Sequence, residues 1–229
     1  MNRVKQVRVD MKLNSGTNML RTALFLLVAL SLTSCDSMYF SAMEKVGIHK
    51  RDILKDRIED AQHAQEETKE QFVSALDEFK AVLRLEETTL EKRYKALQSE
   101  YETSEAAAQE VSDKIAAVES VSEALFNEWE KELALYSNGK LRSISNAKLI
   151  KTKRQYKKLM LLMRQAEAKM APVLNTLRDQ TLFLKHNLNA QAITAVRAEL
   201  GGIERDVGRL VIAMEKSINE AEVFIEKLQ

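Results

Sequence analysis

The residues best suited to chemistry lie close together at positions 59–67, which hold four carboxylates and one of the three histidines of the chain. Asp60 and His63 are three positions apart, so on a helix they would share one face and could hold a metal ion between them. A di-iron helical bundle needs two Glu-x-x-His pairs and further carboxylates, and only this one imperfect pair is present. The pattern therefore favours a solvated charged face, and Asp60 and His63 remain the metal candidates.

The recurrent catalytic motifs are missing from the sequence. It contains no Gly-rich phosphate loop, no nucleophile elbow and no CxxC pair, and His49 and His186 stand far from His63 along the chain. We therefore predict no catalytic residues, no enzymatic activity and no small-molecule substrate.

The single cysteine, Cys35, follows a short apolar segment. Residues 1–34 carry a net charge of +4 and contain an apolar run at 22–32, whose eleven residues are too few to cross a hydrocarbon core. A basic start, a short apolar run and small residues after it are typical of a secretory signal. Leu32-Thr33-Ser34-Cys35 resembles the lipobox of bacterial lipoproteins, which implies cleavage before Cys35 and attachment of diacylglycerol and an N-acyl chain to it. The alternatives are a free buried thiol or an uncleaved anchor, but the odd cysteine of an exported protein favours lipidation.

The residue after the cysteine bears on the location of the protein. Asp36 resembles the signal that, in enterobacterial lipoproteins, avoids transport to the outer membrane. We therefore expect the periplasmic face of the inner membrane, with the outer membrane as the alternative. Because a signal of 34 residues is long, Met11 and Met19 are alternative starts to Met1, and Met11 is the favoured one.

The mature chain differs in charge from the precursor. Removal of residues 1–34 takes away five of the 35 basic residues and one of the 34 acidic residues, which leaves a net charge of −3. A chain of this charge lacks the basic footprint of a nucleic-acid-binding protein. Near its lipidated end, Met38, Tyr39 and Phe40 are candidates for contact with the bilayer surface, where aromatic rings are favoured.

Composition and periodicity predict an all-α fold. Six Gly, one Pro and 6% aromatic residues argue against loop-rich and strand-rich architectures, while 45% hydrophobic residues are enough to build a core. Apolar or small residues recur at spacings of three and four, which are the a and d positions of a heptad repeat. Such runs cover 54–83, 90–129, 149–184 and 193–228.

Capping and helix-breaking residues predict where the helices end. Ser137-Asn138-Gly139-Lys140 is the central turn, with Gly139 as the stop after a long helix. The other predicted breaks are a capping box formed by Thr88 and Glu91, a break at 187–189, a kink or local end at Pro172 and a loosened helix at Gly201-Gly202.

Helix lengths and charges leave two topologies open. Helices of about 50–85, 89–136, 141–186 and 190–228 joined by short breaks favour antiparallel neighbours. An elongated antiparallel four-helix bundle results if the chain reverses near 87 and 188, as the caps favour; otherwise it forms one long coiled-coil hairpin. Opposite charges support pairing of the second helix with the third. They are Glu119, Glu123, Glu128, Glu130 and Glu132 on one side and Lys148, Lys151, Lys153, Arg154, Lys157 and Lys158 on the other.

Two surfaces of these helices have a second interpretation. The basic block at 148–158 could bind anionic lipid headgroups near the central turn, although pairing with the second helix is favoured. Segment 170–184 is apolar over more than one narrow stripe, which predicts contact with two other helices or an oligomer face.

Two stretches resemble a known family. Ser41-Ala-Met-Glu-Lys-Val-Gly-Ile-His-Lys-Arg-Asp-Ile53 is similar to the start of an uncharacterised bacterial lipoprotein family, domain of unknown function 2959, and 172–190 is similar to its C-terminal half. The resemblance implies an envelope lipoprotein rich in long helices and brings no activity, substrate or catalytic residue. The expected organisation is a signal peptide at 1–34, a lipidated tether at 35–49 and a long-helix domain at 50–229.

These features together favour a lipid-anchored periplasmic scaffold that presents helical surfaces to a protein partner or a second copy. Its expected contacts are the membrane, through the lipid on Cys35, and such a partner, without nucleic acid. The first alternative is a membrane-binding or membrane-remodelling stress protein of the phage-shock or ESCRT type, motivated by long hairpin helices. The second alternative is a metal-binding bundle that uses Asp60 and His63.

Overall fold

A computed structural model describes residues 39–40, 43–44, 47–84, 89–187 and 190–228 of the chain. Within these ranges all regular structure is helical, and the main compact unit is Lys50–Gln229. Its helices are α1 (Lys50–Arg84), α2 (Leu90–Leu133), α3 (Gly139–Glu167), α4 (Met170–His186), α5 (Ala190–Ala198) and α6 (Leu200–Leu228).

The helices form an antiparallel four-helix bundle. Helices α3 and α4 together make its third long segment, and α5 and α6 make the fourth. Helix α1 packs on α2 and α6, while α2 packs on α3 and α4 and α6 packs on α3, which closes the ring. Because α1 and α2 lie along each other, the chain reverses between them. The predicted bundle is therefore confirmed, and the single hairpin is wrong.

The core is built from the predicted heptad positions. Phe72, Phe79, Ile115, Met163 and Leu210 are among its fully buried side chains, and they come from all four segments of the bundle. The burial of such apolar area is the main source of stability in a helical bundle. Polar side chains share this core: Gln65, Thr68, Ser104 and Ser217 are also buried.

The central turn lies where the sequence predicts it, but its glycine has another role. Helix α2 ends at Leu133, and Asn138 caps α3, its Oδ1 accepting hydrogen bonds from the backbone N–H groups of Lys140 (3.0 Å) and Leu141 (3.1 Å). Gly139 is the first residue of α3 and does not have a positive φ. The prediction of a glycine stop is therefore wrong, because an asparagine cap satisfies the free N–H groups of the next helix instead.

The predicted capping box at the start of α2 is also displaced. Thr88 lies outside the described residues, and the residue at the cap position is Thr89, whose extended backbone (φ −62°, ψ 143°) precedes the first helical turn. The Thr89 side chain makes no capping hydrogen bond, and the Glu91 side chain accepts a hydrogen bond from Lys95 Nζ at 2.7 Å. The favourable contact of Glu91 is thus made within the helix and not to its cap.

Two of the four bundle segments are interrupted near the predicted breakers. Between α3 and α4 the chain leaves the α-helix at Ala168 and Lys169, and Pro172 follows in the first turn of α4, where a missing N–H costs no intrahelical bond. Glu199 separates α5 from α6, just before the Gly201-Gly202 pair. The local end predicted near Pro172 is therefore confirmed, whereas Gly201 and Gly202 are both helical and the second break lies before them, at Glu199.

The described residues ahead of the bundle contain a short helical turn. Its end is a Schellman motif: the Ile48 N–H donates to Met43 O and the Gly47 N–H donates to Glu44 O, each at 3.0 Å. Gly47 has φ +85°, the left-handed conformation that this motif requires. Throughout the described part of the chain, no helix is both long and apolar enough to span a bilayer.

Candidate functional site

The metal candidates on α1 do not converge on one site. Asp60 Oδ2 lies 3.3 Å from Arg57 Nη1 and 3.6 Å from Lys114 Nζ, so its carboxylate is held between two cations. His63 Nδ1 lies 3.3 Å from Glu67 Oε2, and the His63 side chain is 74% exposed. Among the described residues, no group of three or more His, Cys, Asp or Glu side chains is arranged to hold a metal ion.

The residues predicted to meet the membrane lie at the edge of the described chain. Cys35, Asp36 and Met38 fall outside the described residues. Tyr39 is exposed, Phe40 is buried, and their rings make an edge-to-face contact with centroids 5.5 Å apart. Of these two aromatic rings, Tyr39 is therefore the one available to an external surface.

The basic block of α3 is only partly paired with acidic residues. Lys153 Nζ donates to Glu130 Oε1 on α2 at 2.6 Å, which is the predicted pairing, while Lys158 bonds to Glu220 on α6. A further link between α2 and α3 lies beyond the block: Arg164 bonds to Glu119 through two nitrogens, and the Glu119 and Glu167 hydrogen bonds raise the pKa of Arg164. The remaining basic residues are exposed and form no ion pair with any residue that the structure describes: Lys148, Lys151, Arg154 and Lys157.

One end of the bundle gathers the start of α1, the end of α2, the start of α3 and the end of α6. Lys50 Nζ donates to Glu128 Oε1 at 3.1 Å, which brings the beginning of the bundle level with the last part of α2. A surface cavity of about 210 Å³ lies at the same level, with Arg51, Lys148 and Leu228 in its lining. This end is therefore where the chain enters the bundle from the N-terminal segment.

A two-helix projection extends beyond this level. Helix α2 continues for five residues after Glu128, and α3 begins nine residues before Lys148. At about 1.5 Å per residue, the two helix ends stand roughly 8–13 Å beyond the level of the cavity. Neither α1 nor α6 reaches this far, so among the helices of the bundle only α2 and α3 contribute to this projection.

The projection exposes four large apolar side chains. Leu135 is 82% exposed, Ile144 is 57% exposed and Leu141 is 52% exposed, with Tyr136 at 41%. We refer to these four residues as the tip. The tip is not predicted from the sequence, because single apolar residues near a turn also occur at ordinary helix ends. The signal that the sequence does carry is that Leu135, Tyr136 and Leu141 flank a turn, where polar residues are the rule.

A shallow groove runs along the other side of the bundle, at the break between α3 and α4. It has a volume of about 880 Å³, and its lining combines apolar side chains such as Leu162, Pro172 and Ile212 with the cations Lys169 and Lys216. The lining also contains Asp206, whose carboxylate forms an ion pair with Arg209 in the same groove. Leu182 and Phe183 are exposed further along α4, so the broad apolar surface of segment 170–184 is only partly buried.

Comparison with known proteins identifies the family. No curated protein matches the chain. The family model described as "Protein of unknown function (DUF2959)" matches residues 39–228, which include the whole bundle from α1 to α6. The chain therefore belongs to this family of proteins of unknown function, DUF2959.

Proposed function

We propose that the protein is a non-catalytic, lipid-anchored scaffold of the bacterial cell envelope. Acyl chains on Cys35 would hold it to the membrane, and the bundle would present helical surfaces to a protein partner or to a second copy. The lipobox-like sequence before Cys35 supports the anchor. Two or more acyl chains are enough for stable membrane attachment, which would leave the bundle free for binding.

One observation carries this proposal. The first residue of the bundle, Lys50, lies at one end of long antiparallel helices and is only fifteen residues after Cys35 in sequence. A tether of this length can span at most about 50 Å. An anchor on Cys35 would thus fix the bundle by one end and leave the sides of α1 to α6 accessible over their length.

Acylation and partner binding are tested together in cells that make the full chain. We expect the purified protein to start at Cys35 and to carry the mass of diacylglycerol and an N-acyl chain, and the Cys35→Ser variant to remain an unprocessed precursor. In-cell crosslinking should trap the acylated protein with a specific protein partner or as a dimer. A mature protein without acyl chains, or acylated protein crosslinked only to lipid, would contradict the proposal.

We further propose that Asp36 determines which of the two membranes retains the scaffold. Its carboxylate follows the acylated residue, so we expect the protein in the inner membrane with the bundle facing the periplasm. The Asp36→Ser variant should move to the outer-membrane fraction on density gradients, while Asp36→Glu serves as the charge-matched control. Equal distribution of all three proteins would assign no sorting role to Asp36.

A second candidate is a membrane-binding function of the bundle itself, with remodelling as its stronger form. It is favoured by the long run 133–166, which contains nine Lys and Arg residues and no Asp or Glu. Anionic headgroups attract such a run. Deformation of vesicles by the purified protein, seen by electron microscopy, would support remodelling, and unchanged vesicles would restrict the protein to binding.

A metal-binding function is the remote alternative, because the carboxylate of Asp60 and the imidazole of His63 each have another partner. Elemental analysis of untagged protein decides it: one equivalent of transition metal that is lost in His63→Ala would support a site.

A further inference from the structure

The exposed tip is unusual because its apolar side chains lie beyond the reach of the bundle core. Leu135 and Tyr136 follow the end of α2, while Leu141 and Ile144 are three positions apart on the first turns of α3 and so share a face. Single exposed apolar residues are normal on a protein surface, whereas four large ones within positions 135–144 are typical of an interaction site.

On the α3 side of the tip the charged side chains are basic, whereas α2 ends in Glu130 and Glu132. Lys140 and Arg142 alternate with the tip residues at the start of α3, and the run 133–166 contains no carboxylate side chain. Further along α3, Lys148 and Lys151 are exposed and make no ion pair with a residue in the described part of the chain. The apolar tip is therefore bordered by exposed cations on its α3 side, which can meet an anionic surface, and by Glu132 on its α2 side.

The tip stands on a well-packed support. Phe126, Leu133 and Leu149 form a buried cluster below it, on which Trp129 and Tyr156 pack. The Trp129 Nε1–H donates to Ser145 Oγ at 2.9 Å and so joins α2 to α3 close to the turn. These contacts join α2 and α3 to each other next to the turn that carries the tip.

The position of the tip selects its partner. It lies at the end of the bundle where Lys50 begins α1, and therefore at the end nearest to Cys35 along the chain. Apolar side chains bordered by Lys and Arg are the chemistry of segments that lie in the headgroup region of an anionic bilayer. We propose that the tip inserts into an anionic membrane surface and forms a second membrane contact besides the N-terminal anchor. This inference deepens the membrane-binding candidate described above and rests on it.

A single tryptophan at the tip tests the insertion. Trp129 is the one tryptophan of the chain, so Trp129→Phe gives a background in which Tyr136→Trp reports on the tip. This change removes the hydrogen bond to Ser145 but keeps an aromatic ring on the supporting cluster. The matched control is Phe183→Trp in the same background, since Phe183 has a similar exposure but lies near the end of α4, at the opposite end of the bundle. The full-length protein is purified from membranes and reconstituted into vesicles that contain brominated lipids. Circular dichroism verifies that each variant is folded.

Insertion predicts selective quenching of the tip tryptophan. In vesicles with phosphatidylglycerol, quenching of Tyr136→Trp should exceed that of Phe183→Trp roughly threefold, because interfacial segments enter the bilayer by about 5–10 Å. The difference in quenching between the two variants should shrink in vesicles of phosphatidylcholine alone. It should also shrink when Lys140→Glu and Arg142→Glu are combined with Tyr136→Trp. Replacement of both Leu141 and Ile144 by Ser should abolish it.

Three outcomes would overturn the inference. They are equal quenching at Tyr136→Trp and Phe183→Trp, quenching that ignores the Leu141→Ser and Ile144→Ser changes, and burial of the tip tryptophan in a dimer that forms without lipid. The last outcome would assign the tip to a second copy of the chain. The mass of the purified protein shows separately whether Cys35 carries acyl chains. A missing anchor and a tip that does not insert are therefore distinguishable.

Discussion

At the scale of single residues, the most informative side chain is Gln65 in the middle of α1. It is 0% exposed, and neither its Oε1 nor its Nε2 has a hydrogen-bond partner among the described residues. Burial of an amide without partners costs about 1–3 kcal/mol. A polar residue kept at a core position can instead specify helix register, as a single buried asparagine does in coiled coils.

We predict that Gln65→Met stabilises the bundle, because methionine fills a similar volume and has no polar group to desolvate. The free energy of unfolding should rise by about 1–2 kcal/mol in urea titrations followed by circular dichroism. The control is Thr68→Val, one turn away. Because Thr68 Oγ1 already donates a hydrogen bond to Ala107 O at 3.2 Å, the gain in the free energy of unfolding should be smaller than in Gln65→Met. A loss of stability in Gln65→Met would show that the amide is engaged in the folded protein.

Arg164 on α3 links its own helix to α2. It bonds to Glu119 on α2 and to Glu167 on α3. Its guanidinium donates from Nε to Glu119 Oε1 at 3.1 Å and from Nη1 to Glu167 Oε2 at 2.7 Å, a geometry that lysine cannot reproduce. Since the pair is partly exposed, we expect Arg164→Lys to lower the free energy of unfolding by only about 0.5–1 kcal/mol.

High salt should reduce the loss of unfolding free energy in Arg164→Lys, because mobile ions screen partly exposed ion pairs. Urea titrations at low and high salt measure it, with Arg178→Lys as the control, since the ion pair of Arg178 among the described residues is with its sequence neighbour Asp179, at 3.6 Å. An equal effect of the two substitutions would contradict the bridging role of Arg164.

At the scale of elements, alanine substitutions at the caps of α2 and α3 should differ in their effect on stability. Asn138 Oδ1 accepts two backbone hydrogen bonds, whereas the Thr89 side chain accepts none. Asn138→Ala should therefore cost about 1 kcal/mol, and Asn138→Asp should cost little, because aspartate caps equally well. Thr89→Ala is the matched control and should be nearly neutral in thermal and urea unfolding. A cost at Thr89 as large as that at Asn138 would show that the threonine caps α2 in solution.

The glycine after the Asn138 cap gives the sharpest test of the turn. A stop glycine would have a positive φ, and alanine there would destabilise the protein. Gly139 instead opens α3, and no neighbouring atom lies within 4 Å of a Cβ placed on it. We expect Gly139→Ala to raise the free energy of unfolding by about 0.5 kcal/mol. Gly47→Ala, at a φ of +85°, should lower it, which supplies the contrasting control.

The sequence identifies these elements better than it identifies their ends. Heptad spacing finds the buried face of each helix because periodicity is a local property, and Pro172 marks its break because a proline interrupts helical hydrogen bonding by itself. Glycine is ambiguous, since it serves both at helix ends and at the start of a helix after a cap, and Gly139 has the second role and not the predicted first one. Gln65 escaped notice because an apolar pattern does not reveal polar residues that share its face.

At the scale of the whole molecule, exposure depends on the relative lengths of neighbouring helices. Leu149 and Leu141 lie on the same helix, yet Leu149 is buried under the bundle while Leu141 is 52% exposed. The difference arises because α2 and α3 extend past the ends of α1 and α6, and no spacing within α3 alone encodes that. The tip could therefore be recognised only once the helices were placed side by side, whereas the all-α class followed from composition.

The reversal between α1 and α2 separates the bundle from a long hairpin, and a pair of cysteines tests it. Gln71 Nε2 donates to Glu100 Oε2 at 3.0 Å, although the residues are 29 positions apart. Along one continuous helix this separation would be about 43 Å. In a Cys35→Ser background, a short bis-maleimide should therefore crosslink Gln71→Cys to Glu100→Cys within one chain. Tyr101→Cys with Glu130→Cys has the same spacing inside α2 and should remain uncrosslinked. Crosslinking of neither pair, with folding intact, would exclude the antiparallel contact of α1 with α2 on which the closed bundle depends.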